Sequence, residues 1–104
     1  MTPQFRLTEP AIADIEEIAD YLARQSGLSR AEQFLNELDK KLAKVARFPN
    51  LGKRRDEILL GIRSLPLDRY LILYVSTESG VDVLRVVSGY RDLTVLFDDR
   101  PSNS

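Results

Sequence analysis

The spacing of apolar residues changes once along this chain, and that change limits what the chain can fold into. Through the first half, apolar residues recur every three or four positions, as they do on one face of an α-helix. From about residue 58 they fall into short runs rich in Val, Ile and Tyr, which are typical of β-strands. With 104 residues there is no room for two hydrophobic cores, so the helices must pack against the sheet.

The first half predicts a short strand and a helical hairpin. Residues 4–7 alternate polar and apolar side chains, as in a strand, and Thr8 follows as the N-cap of a first helix. Its apolar stripe runs through residues 11–22, and Gly27 is placed to end the helix.

A second helix is predicted to begin at Ser29. Ser29 and Glu32 have the spacing of a capping box, and an apolar stripe follows them. Basic residues gather towards the end of this helix, where the helix dipole favours them, and residues 49–52 end it. A link of about four residues makes the two helices an antiparallel hairpin.

The second half predicts three strands. They cover residues 58–65, 69–75 and 81–87. Turns are predicted at residues 66–68 and 77–80, and a short helical turn at residues 91–97. The fold class is therefore α+β, in the order β-α-α-β-β-β, with the helical hairpin on one face of a small antiparallel sheet. We predict one domain over residues 1–97 and a C-terminal tail over residues 98–104.

Composition excludes several classes of protein. The chain has no cysteine and no histidine, so disulfides, thiolate metal sites and Ser-His-Asp catalysis are impossible. We predict no cofactor and no metal. No segment is long and apolar enough for a membrane or a signal peptide, which predicts a cytoplasmic protein. A net charge of −1 predicts no direct specific binding of nucleic acid by the chain alone.

Charged side chains form two candidate sites. The first helix carries an acidic face that either supplies a carboxylate pair for acid–base chemistry or is simply solvated; its members are Asp14, Glu16, Glu17 and Asp20. The run Lys53-Arg54-Arg55 either contacts phosphate or an acidic partner, or forms a charged loop balanced by Asp56 and Glu57. Arg63 is included as a candidate for the same contact.

The end of the last strand is a third candidate site. Arg85 lies among valines, where a lone guanidinium is costly, so it needs Asp82, Asp92 or an external acidic group as partner. Tyr90 and Arg91 follow where the strand ends, a common place for functional residues. Arg85, Tyr90 and Arg91 are therefore our candidates for contact with a target.

Five segments of the chain resemble the ParE toxins, in the right order and at the right spacing. They are residues 8–15 with Ile18 and Tyr21, residues 48–52, residues 61–65, residues 69–74 and residues 84–92. The last segment is similar to the R-V-x-H-G-x-R-D end of the family's sheet, with Ser88 where histidine is frequent.

The resemblance implies a toxin of a type II toxin–antitoxin system. ParE-type members of the RelE/ParE superfamily inhibit DNA gyrase and block replication, whereas RelE-type members are ribosome-dependent mRNA endonucleases. Either kind is neutralised by an antitoxin, so a ParD-like antitoxin and a toxin–antitoxin hetero-oligomer are implied here, with DNA gyrase as the target. A family member that only binds its antitoxin is a third alternative.

The nuclease pattern of RelE-type toxins is mostly missing, which argues against an enzyme. Where those toxins have an arginine after the first tyrosine of the central strand, this chain has Leu71, and Phe97 replaces a tyrosine near the end. Ile62 and Ser64 correspond roughly to their paired lysines, and only Arg91 matches. Leucine cannot stabilise a phosphorane and phenylalanine cannot transfer a proton. We therefore predict no catalytic residue.

Overall fold

Two helices lie on one face of a five-stranded sheet in a computed structural model that describes residues 4–89, Leu93, Leu96 and Phe97. In chain order the elements are β1 (Gln4–Leu7), α1 (Glu9–Ser26), α2 (Leu28–Arg47), a 3₁₀ turn (Pro49–Leu51), β2 (Lys53–Arg54), β3 (Arg63–Leu67), β4 (Tyr70–Thr77) and β5 (Gly80–Ser88). The α+β class is confirmed, with one further short strand, β2.

Thr8 caps α1 as the sequence predicts. Its Oγ1 accepts a hydrogen bond from the N–H of Ala11 at 3.3 Å and donates to the carbonyl of Val83 at 2.9 Å. The backbone N–H of Thr8 also donates to Val83, at 3.2 Å. The cap therefore fixes the start of the helix to β5 as well as satisfying a free amide.

The predicted capping box at Ser29 is wrong. A single residue, Gly27, separates the helices, so α2 already begins at Leu28 and no side chain caps it. Gly27 has a φ of +93°, a conformation that glycine adopts without steric cost. The chain therefore reverses within one residue, and Ser29 lies inside the helix.

The sheet is mixed, not wholly antiparallel. Its strand order is β1-β5-β4-β3-β2, and β1 runs parallel to β5, with Leu7 opposite Val83. The helical hairpin returns the chain to the end of the sheet where β1 stops, so β2 runs opposite to β1. Three antiparallel reversals then make β5 parallel to β1.

A structured loop replaces the first part of the predicted strand at residues 58–65. In this loop, residues 55–62, the N–H of Arg55 donates to the carbonyl of Ile62 at 2.9 Å. Its backbone bonds are thus used locally, and β3 begins only at Arg63. The turn predicted at residues 66–68 is shifted, because Pro66 and Leu67 belong to β3 and Asp68, with a φ of +55°, makes the turn.

Both faces of the sheet are covered. The first hydrophobic cluster lies between the helices and the sheet and includes Phe34, Ile72 and Tyr74. A second, smaller cluster contains Ile62, Leu73, Val87 and Leu93. Burial on both faces explains why β4 and β5 are nearly continuous apolar runs.

Of the helical turn predicted at residues 91–97, the structure describes Leu93, Leu96 and Phe97, and the N–H of Leu96 donates to the carbonyl of Leu93 at 3.2 Å. The tail predicted at residues 98–104 lies outside the described residues, and the domain limits stay a prediction. Neither helix is long and apolar enough to cross a membrane.

Candidate functional site

Arg85 is held by a carboxylate from the first helix. A β-bulge shifts the register of β5, so that Arg85 pairs with Leu73 and Val83 pairs with Tyr74. The Nε and Nη2 of Arg85 donate to the two oxygens of Asp14 at 2.6 and 2.8 Å. This hydrogen bonding raises the pKa of Arg85 above its usual value. The guanidinium is therefore paired within the chain.

Asp14 also accepts a backbone bond at the bulge. The N–H of Val86 donates to it at 2.9 Å, and the carboxylate is only 13% exposed. The partner predicted for Arg85 is thus wrong in the case of Asp82, which binds Arg6 at 2.7 Å, while Asp92 lies outside the described residues. Because Asp14 faces β5, it does not belong to a solvated acidic face. Glu16, Glu17 and Asp20 are exposed.

Two of the three basic residues at 53–55 are paired locally. Arg54 binds Asp56 at 2.6 Å and Arg55 binds Glu57 at 2.7 Å. The hydrogen bond from Arg55 lowers the pKa of Glu57. Lys53 is exposed and takes part in no ion pair within the described part of the chain, so it is the member of this run most available to a partner.

The 3₁₀ turn is fastened to β4 by a buried tyrosine. The hydroxyl of Tyr74 donates to the carbonyl of Pro49 at 2.7 Å and accepts from the N–H of Gly52 at 2.8 Å. A Cβ on Gly52 would overlap this hydroxyl, so glycine is needed for the close approach. Burial raises the pKa of Tyr74.

Arg63 completes the attachment of the 3₁₀ turn. Its Nη1 donates to the carbonyl of Gly52 at 2.7 Å and to that of Asn50 at 3.5 Å. Arg63, a sequence candidate for a partner contact, thus has a structural role as well. The sequence does not predict the role of the Tyr74 hydroxyl, for which Gly52 at the exit of a helix is the available signal. Together these bonds fix the position from which Lys53 projects.

The candidate residues form two groups rather than one site. Lys53, Arg54, Arg55 and Arg63 gather at the β2–β3 edge, where Arg54 lies opposite Arg63. Arg85 lies on β5, and β4 separates β5 from β3. Tyr90 and Arg91 lie outside the described residues, so their part in a site stays a prediction.

A cleft of about 280 Å³ lies beside the end of β5. Its walls come from α1 and from the strand ends, and they include Glu17, Tyr21, Tyr70 and Val86. Arg24 also lines the cleft, which therefore offers a part-apolar surface with charges of both signs next to the end of β5. The described residues contain no group of three or more acidic side chains able to hold a metal.

Comparison with known proteins identifies the family. A family model described as "ParE toxin of type II toxin-antitoxin system, parDE" matches residues 5–93. The chain belongs to the ParE toxin family. The "Toxin ParE1" of Mycobacterium tuberculosis is 34% identical to it over 94 residues, which are 89% of this chain and 96% of that toxin. The "Toxin ParE3" of Caulobacter vibrioides is 24% identical over 86 residues, or 83% of this chain and 86% of that toxin.

The ParE fold is shared as well. A chain from the structure "Chromosomal ParDE TA system from P. aeruginosa" superposes with a TM-score of 0.71 at 19% identity, covering 84% of this chain and 96% of that one. The resemblance drawn from the sequence is thus confirmed. The protein is a ParE-type toxin of a type II toxin–antitoxin system, and membership of such a system implies an antitoxin partner.

Proposed function

We propose that this ParE-type toxin acts by binding DNA gyrase and blocking replication, without chemistry of its own. One observation favours a binding role over the ribonuclease role found elsewhere in the superfamily. Three positions that correspond to catalytic residues in RelE-type toxins carry apolar side chains: Ile62 is buried in the second hydrophobic cluster, and Leu71 and Phe97 are half-buried against it. None of these three side chains carries a group that can transfer a proton or stabilise a phosphorane.

Ser64, the fourth such position, supports the same conclusion. Its side chain is buried beside β2, and its hydroxyl accepts a hydrogen bond from Arg55 at 3.4 Å. It therefore serves the structure of the β2–β3 edge. Arg91 alone matches the nuclease pattern, and a single arginine can hold a phosphate but supplies no general base.

A supercoiling assay with purified DNA gyrase tests the proposal. We expect the toxin, in molar excess, to slow supercoiling and to increase the amount of cleaved DNA. The matched control is the same amount of toxin already bound to its antitoxin, which is expected to leave both unchanged. Unaltered supercoiling and cleavage with excess free toxin would refute gyrase as the target.

Induction of the toxin gene in a bacterial host separates the alternatives. Gyrase poisoning is expected to give filamentous cells and a DNA-damage response. Rapid arrest of protein synthesis, with codon-positioned mRNA cuts mapped by primer extension, would instead establish the ribonuclease. Growth without any defect would leave a family member that only binds its antitoxin.

We further propose that the antitoxin neutralises the toxin by binding its folded form in the cytoplasm. A partner that binds only the folded chain raises its stability by mass action, by about 2.7 kcal/mol when free antitoxin is at 100 times its Kd. The expected result is a clear rise in the melting temperature of the toxin on adding the product of the co-transcribed gene. An unchanged melting temperature at that ratio would contradict the proposal.

A further inference from the structure

Three of the four lysines of this chain line one groove. The groove has a volume of about 450 Å³ and lies between α2 and the end of β3. Lys40, Lys41 and Lys44 form the wall on α2, and Pro66 and Leu67 form the wall on β3. We call this feature the lysine groove. The fourth lysine, Lys53, lies on β2 and outside this lining.

The positive charge of the lysine groove is only partly balanced within the described residues. None of its lysines takes part in an ion pair there, and Asp68, at its margin, is already bound by Arg30 at 2.8 Å. Glu37 is the one acidic neighbour in the lining without an ion pair. Like charges three or four residues apart on a helix repel one another. An acidic partner would remove that repulsion.

The β3 side of the groove cannot accept an added strand. The bond from the N–H of Arg55 to the carbonyl of Ile62 lies beside the end of the β2–β3 pair, so Arg63 turns its backbone groups towards β4. By alternation, Ser64 and Pro66 turn theirs away from β4. Ser64 is paired with β2, whereas Pro66 has no N–H to offer. The exposed edge therefore offers an acceptor but no donor.

We propose that the lysine groove binds an acidic helical segment of the antitoxin. This inference rests on the proposed antitoxin neutralisation. Lys40 and Lys44 lie one helical turn apart, so carboxylates three or four residues apart on a partner helix match their spacing. Apolar side chains of the same segment then cover Pro66 and Leu67. Side-chain contacts replace the backbone ladder that the proline removes.

Lysine footprinting of the complex tests this directly, because the chain carries its own control. The toxin, alone and saturated with the product of the co-transcribed gene, is treated briefly with an acetylating ester, and each lysine is followed by mass spectrometry. We expect the acetylation rates of Lys40, Lys41 and Lys44 to fall at least tenfold in the complex. Lys53, which lies outside the groove lining, is expected to be protected much less than these three lysines.

The outcomes separate this inference from the proposed function. A complex seen by native mass spectrometry whose groove lysines react at the free rate overturns the lysine groove but leaves neutralisation standing. Failure to form any complex overturns both. Groove protection that rises with toxin concentration in the absence of antitoxin, or that an arbitrary DNA duplex reproduces, assigns the groove to a second copy or to phosphate and also overturns the inference.

Charge-removing variants give an independent measurement. The triple variant Lys40→Gln, Lys41→Gln, Lys44→Gln is expected to raise the Kd for the antitoxin about tenfold at low salt and to reduce its salt dependence. The control variant Arg6→Gln, Arg24→Gln, Arg69→Gln removes the same charge from exposed positions outside the lysine groove and is expected to keep the original Kd within about threefold. Equal weakening by both variants would mean that only net charge matters and would overturn the site.

Discussion

The carboxylate of Asp14 connects two elements of this small domain. It accepts two hydrogen bonds from Arg85 and one from the N–H of Val86, and thereby joins α1 to the bulge of β5. The sequence marked Arg85 as needing an acid. The sequence does not identify which carboxylate is the partner of Arg85. That depends on how α1 packs over β5 and on a β-bulge that no local sequence pattern predicts.

Replacing Asp14 by Ala is expected to destabilise the fold by about 2–4 kcal/mol, because it leaves the Arg85 guanidinium and an amide without partners. Urea denaturation measures this change in the free energy of unfolding. Glu16→Ala, an exposed acid on the same helix, serves as control and is expected to stay within about 0.5 kcal/mol of the original chain. A loss for Asp14→Ala no larger than the control would show that the pair contributes little.

Tyr74→Phe is expected to cost about 1–3 kcal/mol, because it removes the acceptor of the buried Gly52 N–H and the donor to Pro49. Thermal and urea unfolding both report this loss. Tyr21→Phe removes a hydroxyl from an exposed tyrosine, and we expect no change in the free energy of unfolding. If the two variants were equally stable, the fastening of the 3₁₀ turn would have no energetic role.

Alkaline stability follows from the same hydroxyl. Burial raises the pKa of Tyr74 above its ordinary value of 10.0, so the folded state holds this proton more tightly than the unfolded state does. Its contribution is fully present below pH 10 and is lost as the pH rises through the folded pKa. The free energy of unfolding should therefore fall more steeply above pH 10 in the original chain than in Tyr74→Phe. Parallel curves would contradict this.

At the scale of elements, the sequence predicted the helices and strands that have a repeating apolar pattern. It missed the features that depend on one or two residues. The apolar runs gave β4 and β5, and the helical stripes gave both helices, because these patterns reflect burial over many residues. The start of α2 was missed because one glycine reverses the chain, and β2 was missed because its two residues, Lys53 and Arg54, are both charged. Residues 58–62 were predicted as part of a strand but belong to the loop at residues 55–62, which uses its backbone bonds locally.

Gly80→Ala is expected to detach β1 from the sheet. Gly80 has a φ of +148°, and a Cβ there would overlap the carbonyl of Gln4, its partner on β1. Amide hydrogen exchange should show lost protection over residues 4–8, with a fall in melting temperature. Gly61→Ala is a matched control, since Gly61 also has a positive φ, +86°, but open space around it, and only mild backbone strain is expected. Retained protection of β1 in Gly80→Ala would refute this close-packing argument.

At the scale of the whole molecule, the arrangement of elements was less predictable than their existence. The parallel pairing of β1 with β5 joins residues far apart in the chain. Neither the spacing of apolar residues nor the composition predicts it. The candidate sites show the same limit. The basic run at residues 53–55 is visible in the sequence, whereas the lysine groove exists only because α2 is packed beside Pro66 and Leu67.

Because the first strand pairs with the last, the sheet cannot be completed until almost the whole chain has been synthesised. Arg6 and its ion-pair partner Asp82 are 76 positions apart, which at ribosomal speeds is roughly 4 to 15 seconds of elongation. During that interval β1 has no strand to pair with, and the nascent chain exposes a strand edge and an uncovered apolar helix face. Any chain cut short before β5 is made is left without its closing partner, so premature stop codons along almost the whole gene should yield products that are degraded rather than harmful.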